Sequence, residues 1–358
     1  MSQRKMTFSQ KFQKAKSSGS FSAALMLAPA VFFLCLCSIY PFIWIFRYVA
    51  CDYNGFKSTF TGWKNFERML NDKVFWNSVM HTFEYAFYKL IFIIPLALLM
   101  AVLLNQKLRG SSVFRGIYFM PTIISTSIAG MIFGFIFATK NGILNSMLQN
   151  MHLIDSPIKW LNSPSVVMVA VTILAIWGGF GNYMLYFITG MTGISEDVYE
   201  SAKIDGATGV QTFFRITLPM LAPVLKVVLM LAITGAFKDY EAIMVLTNGG
   251  PGNRSMVMFL YIYNIIFGSA GSSSQAQIGY GALLSVVAAV IVGIVTGIYL
   301  FVSKKLDDVV LIRRRYDGKN SCSIFNKNED RPSDHLAVFG TRGDHHNLSC
   351  MLCYLWFL

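Results

Sequence analysis

The sequence predicts an all-α integral membrane protein with six transmembrane helices and both termini in the cytoplasm. Three observations carry that prediction. Only 13% of the 358 residues are charged and 54% are hydrophobic, whereas a soluble domain has roughly 25% charged residues. Six stretches, at about 22–46, 78–104, 113–139, 165–190, 221–247 and 278–302, are apolar enough to be spans, a bilayer crossing needing ~20 such residues. Lysine and arginine near the span ends favour one side, the cytoplasmic one.

The first 20 residues carry Arg4, Lys5, Lys11, Lys14 and Lys16 without an acid. The apolar run behind them exceeds the ~7–15 residues of a signal peptide and has no small-residue cleavage site, so it reads as an uncleaved first span. Going along the chain, Lys107, Arg109 and Arg115, then Lys203 and Arg215, then Lys304 and Lys305 fall on the side of the N-terminus. The opposite side receives Lys140 and Lys159 in one loop and Arg254 in the next. The first outer loop dissents with Arg47, Lys57, Lys64, Arg68 and Lys73, partly offset by Asp52, Glu67 and Asp72. The chain therefore divides into a basic N-terminus (1–20), a six-helix domain (21–305) holding a polar loop at 191–220, and an atypical, disordered tail (306–358).

The net charge of +12 lies between apolar runs, as topology requires, and does not form a nucleic-acid surface. The six cysteines show no framework spacing; Cys35 and Cys37, inside the first span, act as small hydrophobes. In the tail, His345, His346, Cys350 and Cys353 match no usual zinc-ligand spacing, and the expectation is no metal and no cofactor. Prolines 29, 41, 95 and 121 and Gly130, Gly134, Gly178, Gly179 and Gly181 in the spans serve close helix packing or a kinked, moving path.

The polar loop has strong local signals. Ser195 is an N-cap with Glu196 and Asp197 in the first turn, and the helix it opens should stop near Ile204, at Asp205-Gly206. Thr208 with Gln211 fits a capping box. Val210, Phe213, Phe214 and Thr217 then fall on one helical face, and Pro219 and Pro223 open the next span.

Glu200-Ser201-Ala202, Gly206 and, after nine residues, Ile216-x-Leu218-Pro219 resemble the EAA loop of binding-protein-dependent ABC importer permeases, with Ser201 for the motif's first alanine. Phe237-Lys238-Asp239-Tyr240-Glu241 leading to Leu246-Thr247-Asn248-Gly249-Gly250-Pro251, and Gly279-Tyr280-Gly281-Ala282, resemble the carbohydrate-uptake, maltose-type class. The resemblance spans about residues 20–305 and implies a type I importer permease in a bacterial-type plasma membrane. It implies pairing with a second, related permease subunit, two cytoplasmic ATPase subunits that bind the loop through Glu200, Ser201, Ala202, Asp205, Gly206, Ile216, Leu218 and Pro219, and an external solute-binding protein that delivers a sugar. No G-x-x-x-x-G-K-[ST] phosphate loop occurs in the sequence, so ATP hydrolysis is expected on another chain. An ion-coupled secondary transporter would need buried acids at the span centres, and a membrane enzyme would need clustered ligands, whereas His81 and His152 stand apart.

Ionisable residues in spans are functional hypotheses. Glu84 and Lys89, five residues apart, point about 140° from one another; Glu84 is expected to snorkel at the outer end, while Lys89 lines either a cavity or an interface. Trp177, Asn182 and Tyr183 offer a stacking face and hydrogen bonds to a sugar, or plain packing. Lys238, Asp239 and Glu241, with Tyr240 between them, are expected near the outer surface, about 24 Å or more along the fifth span, as a gate or as interfacial anchors.

Overall fold

The computed structural model describes residues 20–106, 110–268 and 276–329. The basic N-terminus, Lys107, Arg109 and, in the tail, His345, His346, Cys350 and Cys353 lie outside the described residues. The chain divides into two units, 1–301 and 302–358, and the account below concerns the first.

The helix α1 (Ser20–Leu34) passes through a π-turn at Cys35–Ile39 into α2 (Tyr40–Val49). A hairpin of β1 (Cys51–Tyr53) and β2 (Ser58–Phe60) follows, pairing Cys51 with Phe60 in antiparallel register. Then come α3 (Lys64–Asn71) and the 33-residue α4 (Lys73–Asn105). The third predicted span is broken: α5 (Ser111–Ile123) and α6 (Thr126–Ile136) meet at 95°. Pro121 withdraws one backbone donor near the end of α5, and Ile124 and Ser125 are extended, with ψ near 133°. The short α7 (Ile143–Asn150) leads to α8 (Val167–Thr192).

The polar loop holds α9 (Glu196–Ile204), α10 (Gly209–Thr212), a π-turn at Phe213–Thr217 and α11 (Leu218–Met220). The fifth predicted span is also discontinuous. It bends by 70° at Leu221 where it leaves the loop, runs as α12 (Ala222–Lys238), breaks at Asp239–Tyr240 and resumes as α13 (Glu241–Leu246). Two more helices close the unit, α14 (Met258–Phe267) and α15, which begins at Ile278 and is continuous to Glu329. The tail expected from 306 thus begins inside this helix. Among the described residues four helices are long and apolar enough to cross a membrane, or up to six if each bent pair is one span.

The core forms where α4 and α8 run side by side. Ile93, Ala97, Ala101 and Leu104 place a stripe on one face of α4 against Phe180, Met184, Phe187, Ile188 and Met191 of α8. The two alanines, completely buried, let the backbones approach, which is how helices associate in lipid where no hydrophobic gain drives them together.

At the hairpin end of the bundle Asn65 and Asp72 have their hydrogen bonds met by specific partners. Buried Asn65 donates to the carbonyls of Val49 and Cys51, at 3.1 and 3.0 Å, fastening α3 to the end of the first span. Asp72 caps α4 by accepting from the backbone N–H of Val74 and Phe75 through Oδ1. Its Oδ2 accepts from the hydroxyls of Tyr261 and Tyr280, both at 2.7 Å. Burial pushes this carboxyl up, but the tyrosine and backbone donors outweigh it and hold the group below the ordinary carboxylate range. The Arg68 guanidinium lies 3.9 Å over the Tyr280 ring. Gly279 explains its place in the G-Y-G-A run: a Cβ there would collide with the carbonyl oxygen of Cys51, so only glycine lets the start of α15 lie against the hairpin.

Candidate functional site: a polar loop and a charged cavity

The loop is built as its sequence directs. The N–H of Asp197 donates to Ser195 Oγ at 3.3 Å, capping α9. In the capping box, Thr208 N–H donates to Gln211 Oε1 at 2.9 Å and Gln211 N–H donates to Thr208 Oγ1 at 3.4 Å. Between the two helices, Gly206 N–H donates to the Lys203 carbonyl and Ala207 N–H to the Ala202 carbonyl, at 3.0 and 2.9 Å. That is the Schellman pattern, and it requires the left-handed φ of +77° found at Gly206.

Ala202 is the buried residue of α9, while Glu200, Ser201, Asp205 and Gly206 are exposed. A cleft of about 760 Å³ separates Asn105 and Gln106, at the end of α4, from Tyr199, Glu200, Lys203 and Thr217. The single apolar face expected for Val210, Phe213, Phe214 and Thr217 is split. Val210 and Phe214 are 68% and 61% exposed, whereas Thr217 is buried and its Oγ1 is 3.3 Å from the Tyr199 hydroxyl. The π-turn widens one turn of the helix and shifts the residues after it round the axis. Ile216, within it, and Leu218, just beyond it, are half-buried, and Pro219 is exposed.

The second site is a cavity of about 180 Å³ between α4, the α5–α6 break, α8 and the α12–α13 break. Among the described residues, Lys89 and Asp239 are its only ionisable lining residues. Lys89 Nζ donates to Asp239 Oδ2 at 2.7 Å, and the hydroxyl of completely buried Tyr85 donates to the same oxygen at 2.6 Å. Lys89 is the seventeenth of 33 residues in α4, about 24 Å from either helix end. Asp239 therefore lies deep in the bundle, not at the outer surface as expected. The fifth span leaves the loop through a bend and then stops short, so counting residues along it as a straight rod overstated its reach.

The other sequence candidates scatter. Trp177 packs on Phe133, ring centroids 5.2 Å apart, while its neighbours Gly178 and Gly179 line the cavity. The Tyr183 hydroxyl lies over Gly235 of α12. Asn182, Lys238 and Glu241 are exposed, and the Tyr240 ring packs on Tyr263. Glu84 has an ionic partner: both its oxygens accept from Arg254, at 2.7 and 2.8 Å. Glu84 and Lys89 thus take partners from different segments, as their angular separation requires. The residues missed are Tyr85, Thr122 and Thr126. Tyr85 was reachable, since it stands four residues before Lys89 on the same helical face. Thr122 and Thr126 line the cavity only because the third span breaks between them.

Comparison with known proteins agrees with this arrangement. Residues 93–308 match the family described as the binding-protein-dependent transport system inner membrane component. The arabinooligosaccharides transport system permease protein AraP of Bacillus subtilis (strain 168) is 34% identical over 286 residues, covering 79% of this chain and 87% of that protein. The lactose transport system permease protein LacF of Rhizobium radiobacter is 29% identical over 284 residues, covering 78% and 93%. The trehalose/maltose transport system permease protein MalF of Thermococcus litoralis is 31% identical over 245 residues, covering 68% and 80%. In fold, the chain is similar to a crystallised bacterial ABC transporter that imports the acidic polysaccharide alginate, with a TM-score of 0.70 at 22% identity over 82% of this chain and 99% of that one. With a family match over more than half its length, a bundle of several apolar helices and a capped polar loop between two of them, the chain belongs to the binding-protein-dependent transport system inner membrane components, as a multi-pass permease subunit.

Proposed function

We propose that this permease carries a sugar or oligosaccharide into the cytoplasm, using ATP hydrolysed on other chains. The observation that carries the reading is the loop at 191–220: a self-capped pair of short helices with Glu200, Ser201, Asp205 and Gly206 on its exposed surface. With both termini cytoplasmic, this surface faces two ATPase subunits. The rest of the proposed assembly is a second, related permease chain and an extracytoplasmic binding protein that delivers the sugar. The carbohydrate class is supported by relatives named for arabinooligosaccharide, lactose and trehalose/maltose transport.

The mechanism is a lever. Tyr199 of α9, packed against the core that α8 helps to build, and the 70° bend at Leu221 tie the loop to α8 and α12, so closure of the ATPases tilts both helices. α12 ends at Asp239, in the wall of the cavity, which makes that cavity a stretch of the sugar's path. At about 30 Å³ per water it holds roughly six waters, too little for an oligosaccharide, and it has to widen as the helices move. Lys89 and Asp239 are the path residues this geometry favours, with Trp177 behind them and Tyr183, Lys238, Tyr240 and Asn182 further off.

The test is purification of the tagged chain in mild detergent, followed by reconstitution with its binding protein. Co-purified ATPase subunits and sugar uptake that requires ATP are expected. Uptake driven by a proton or sodium gradient without ATP would overturn the reading.

A further inference from the structure

Among the described residues, the cavity wall holds one positive and one negative side chain and no other ionisable group. A lone lysine at this depth would make the cavity a trap for anions, because an uncompensated charge in a poorly solvated space acts strongly on whatever enters. Asp239 stands against it at hydrogen-bond distance, and Tyr85 fixes the carboxylate with a second bond to the same oxygen. Asp239 Oδ1 has no hydrogen bond among the described residues. The buried Thr122 Oγ1, beside the same space, has no partner either. Gly178, at which a side chain would meet nothing within 4 Å, leaves that wall open. The cavity thus offers unpaired polar atoms, suited to hydroxyl groups, in a wall with no net charge.

We infer that Asp239 sets the charge preference of the path: by neutralising Lys89 it fits the cavity to uncharged saccharides, and without it the same cavity favours anionic ones. The inference rests on the reading of this cavity as part of the sugar's path. It concerns the permease itself and is separate from any choice made by the binding protein.

The experiment measures the charge of the cavity directly. In the assembled transporter in nanodiscs, with Cys35, Cys37, Cys51, Cys322, Cys350 and Cys353 replaced by serine, Thr122→Cys is labelled with an anionic (sulfonatoethyl) and a cationic (trimethylammonioethyl) methanethiosulfonate, at rest and during ATP turnover. Thr126→Cys is the second reporter should the first fail to assemble. The expected result is that Asp239→Asn raises the anionic-to-cationic rate ratio at least about tenfold, the scale of one uncompensated charge across a partly wet cavity, and that Lys89→Gln lowers it. Labelling whose ratio moves less than about threefold in both variants overturns the inference and leaves the path standing. Failure of both reporters to label in either state overturns the path, and the inference with it.

Discussion

Lys89 and Asp239, 150 positions apart, meet at 2.7 Å where the middle of α4 crosses the break in the fifth span. Their side chains retain 10% and 22% of their exposure, so the pair is neither a surface bridge nor fully sealed. Breaking one side of a buried pair leaves an uncompensated charge and costs about 3–5 kcal/mol, whereas replacing both partners with apolar groups is often neutral. Residual exposure of Asp239 moves its share toward the lower end. Lys89→Met or Asp239→Leu alone should lower the thermal midpoint of the purified transporter, and the double variant should recover most of the loss. Additive losses in the double variant would show that the two groups are not energetically coupled.

The loop prediction turns on Gly206. Gly206→Asp should abolish sugar uptake while leaving membrane insertion intact. No atom lies within 4 Å of a Cβ built there, so within this chain the φ of +77° is the main obstacle to a side chain. Asparagine tolerates that conformation best among the larger residues. Gly206→Asn should therefore preserve the turn, and if the glycine surface contacts the ATPase it too should lose uptake. Uptake by Gly206→Asn close to wild type would reduce the glycine's role to turn geometry; normal uptake by Gly206→Asp would sink the lever.

Asp72 gives a pH dependence with a definite sign. Its folded-state carboxyl is held below the ordinary range, so its contribution is fully present above the unfolded value of about 4. That contribution is lost as pH falls from there through the lower folded value. Wild-type protein in nanodiscs should lose thermal stability faster below pH ~4 than Asp72→Asn, which starts lower because its amide replaces a charged cap and acceptor. Parallel acid profiles for the two proteins would contradict this.

Gly279→Ala should destabilise the hairpin end by about 1–3 kcal/mol, the usual cost of overpacking, because the obstructing atom is the Cys51 carbonyl and not a mobile side chain tip. Gly293→Ala, also in α15 but with nothing within 4 Å of the added methyl, is the control and should be neutral or slightly stabilising. Proteolysis between residues 47 and 64 is the readout, and equal cleavage of the two variants would count against the packing account.

What the sequence disclosed depended on the range of the interaction. The caps at Ser195 and Thr208 and the turn at Gly206 are closed within a few residues, and each was readable locally. The four continuous apolar helices were legible because their signal is composition. The breaks at Ile124–Ser125 and Asp239–Tyr240 were not, since neither has a glycine or proline at the break itself and apolar residues resume beyond both, so the charged Lys238-Asp239-Tyr240-Glu241 run read as the outer end of one span. Hence the depth of Asp239, its pairing with Lys89 and the cavity at the two breaks needed three-dimensional structure. Arg254 looked solitary in its loop for the same reason: its acid, Glu84, lies 170 residues earlier.

The Schellman closure ties α9 to α10 through the N–H groups of Gly206 and Ala207. Because the caps and the turn are hydrogen-bonded within the loop itself, this surface is rigid before any partner arrives. Binding then forfeits little conformational freedom, and complementary contact converts into affinity with less loss than for a segment that folds on contact. In the proposed lever, a preassembled plug of this kind would transmit push and pull alike, since no slack would have to be taken up before force reached α8 and α12.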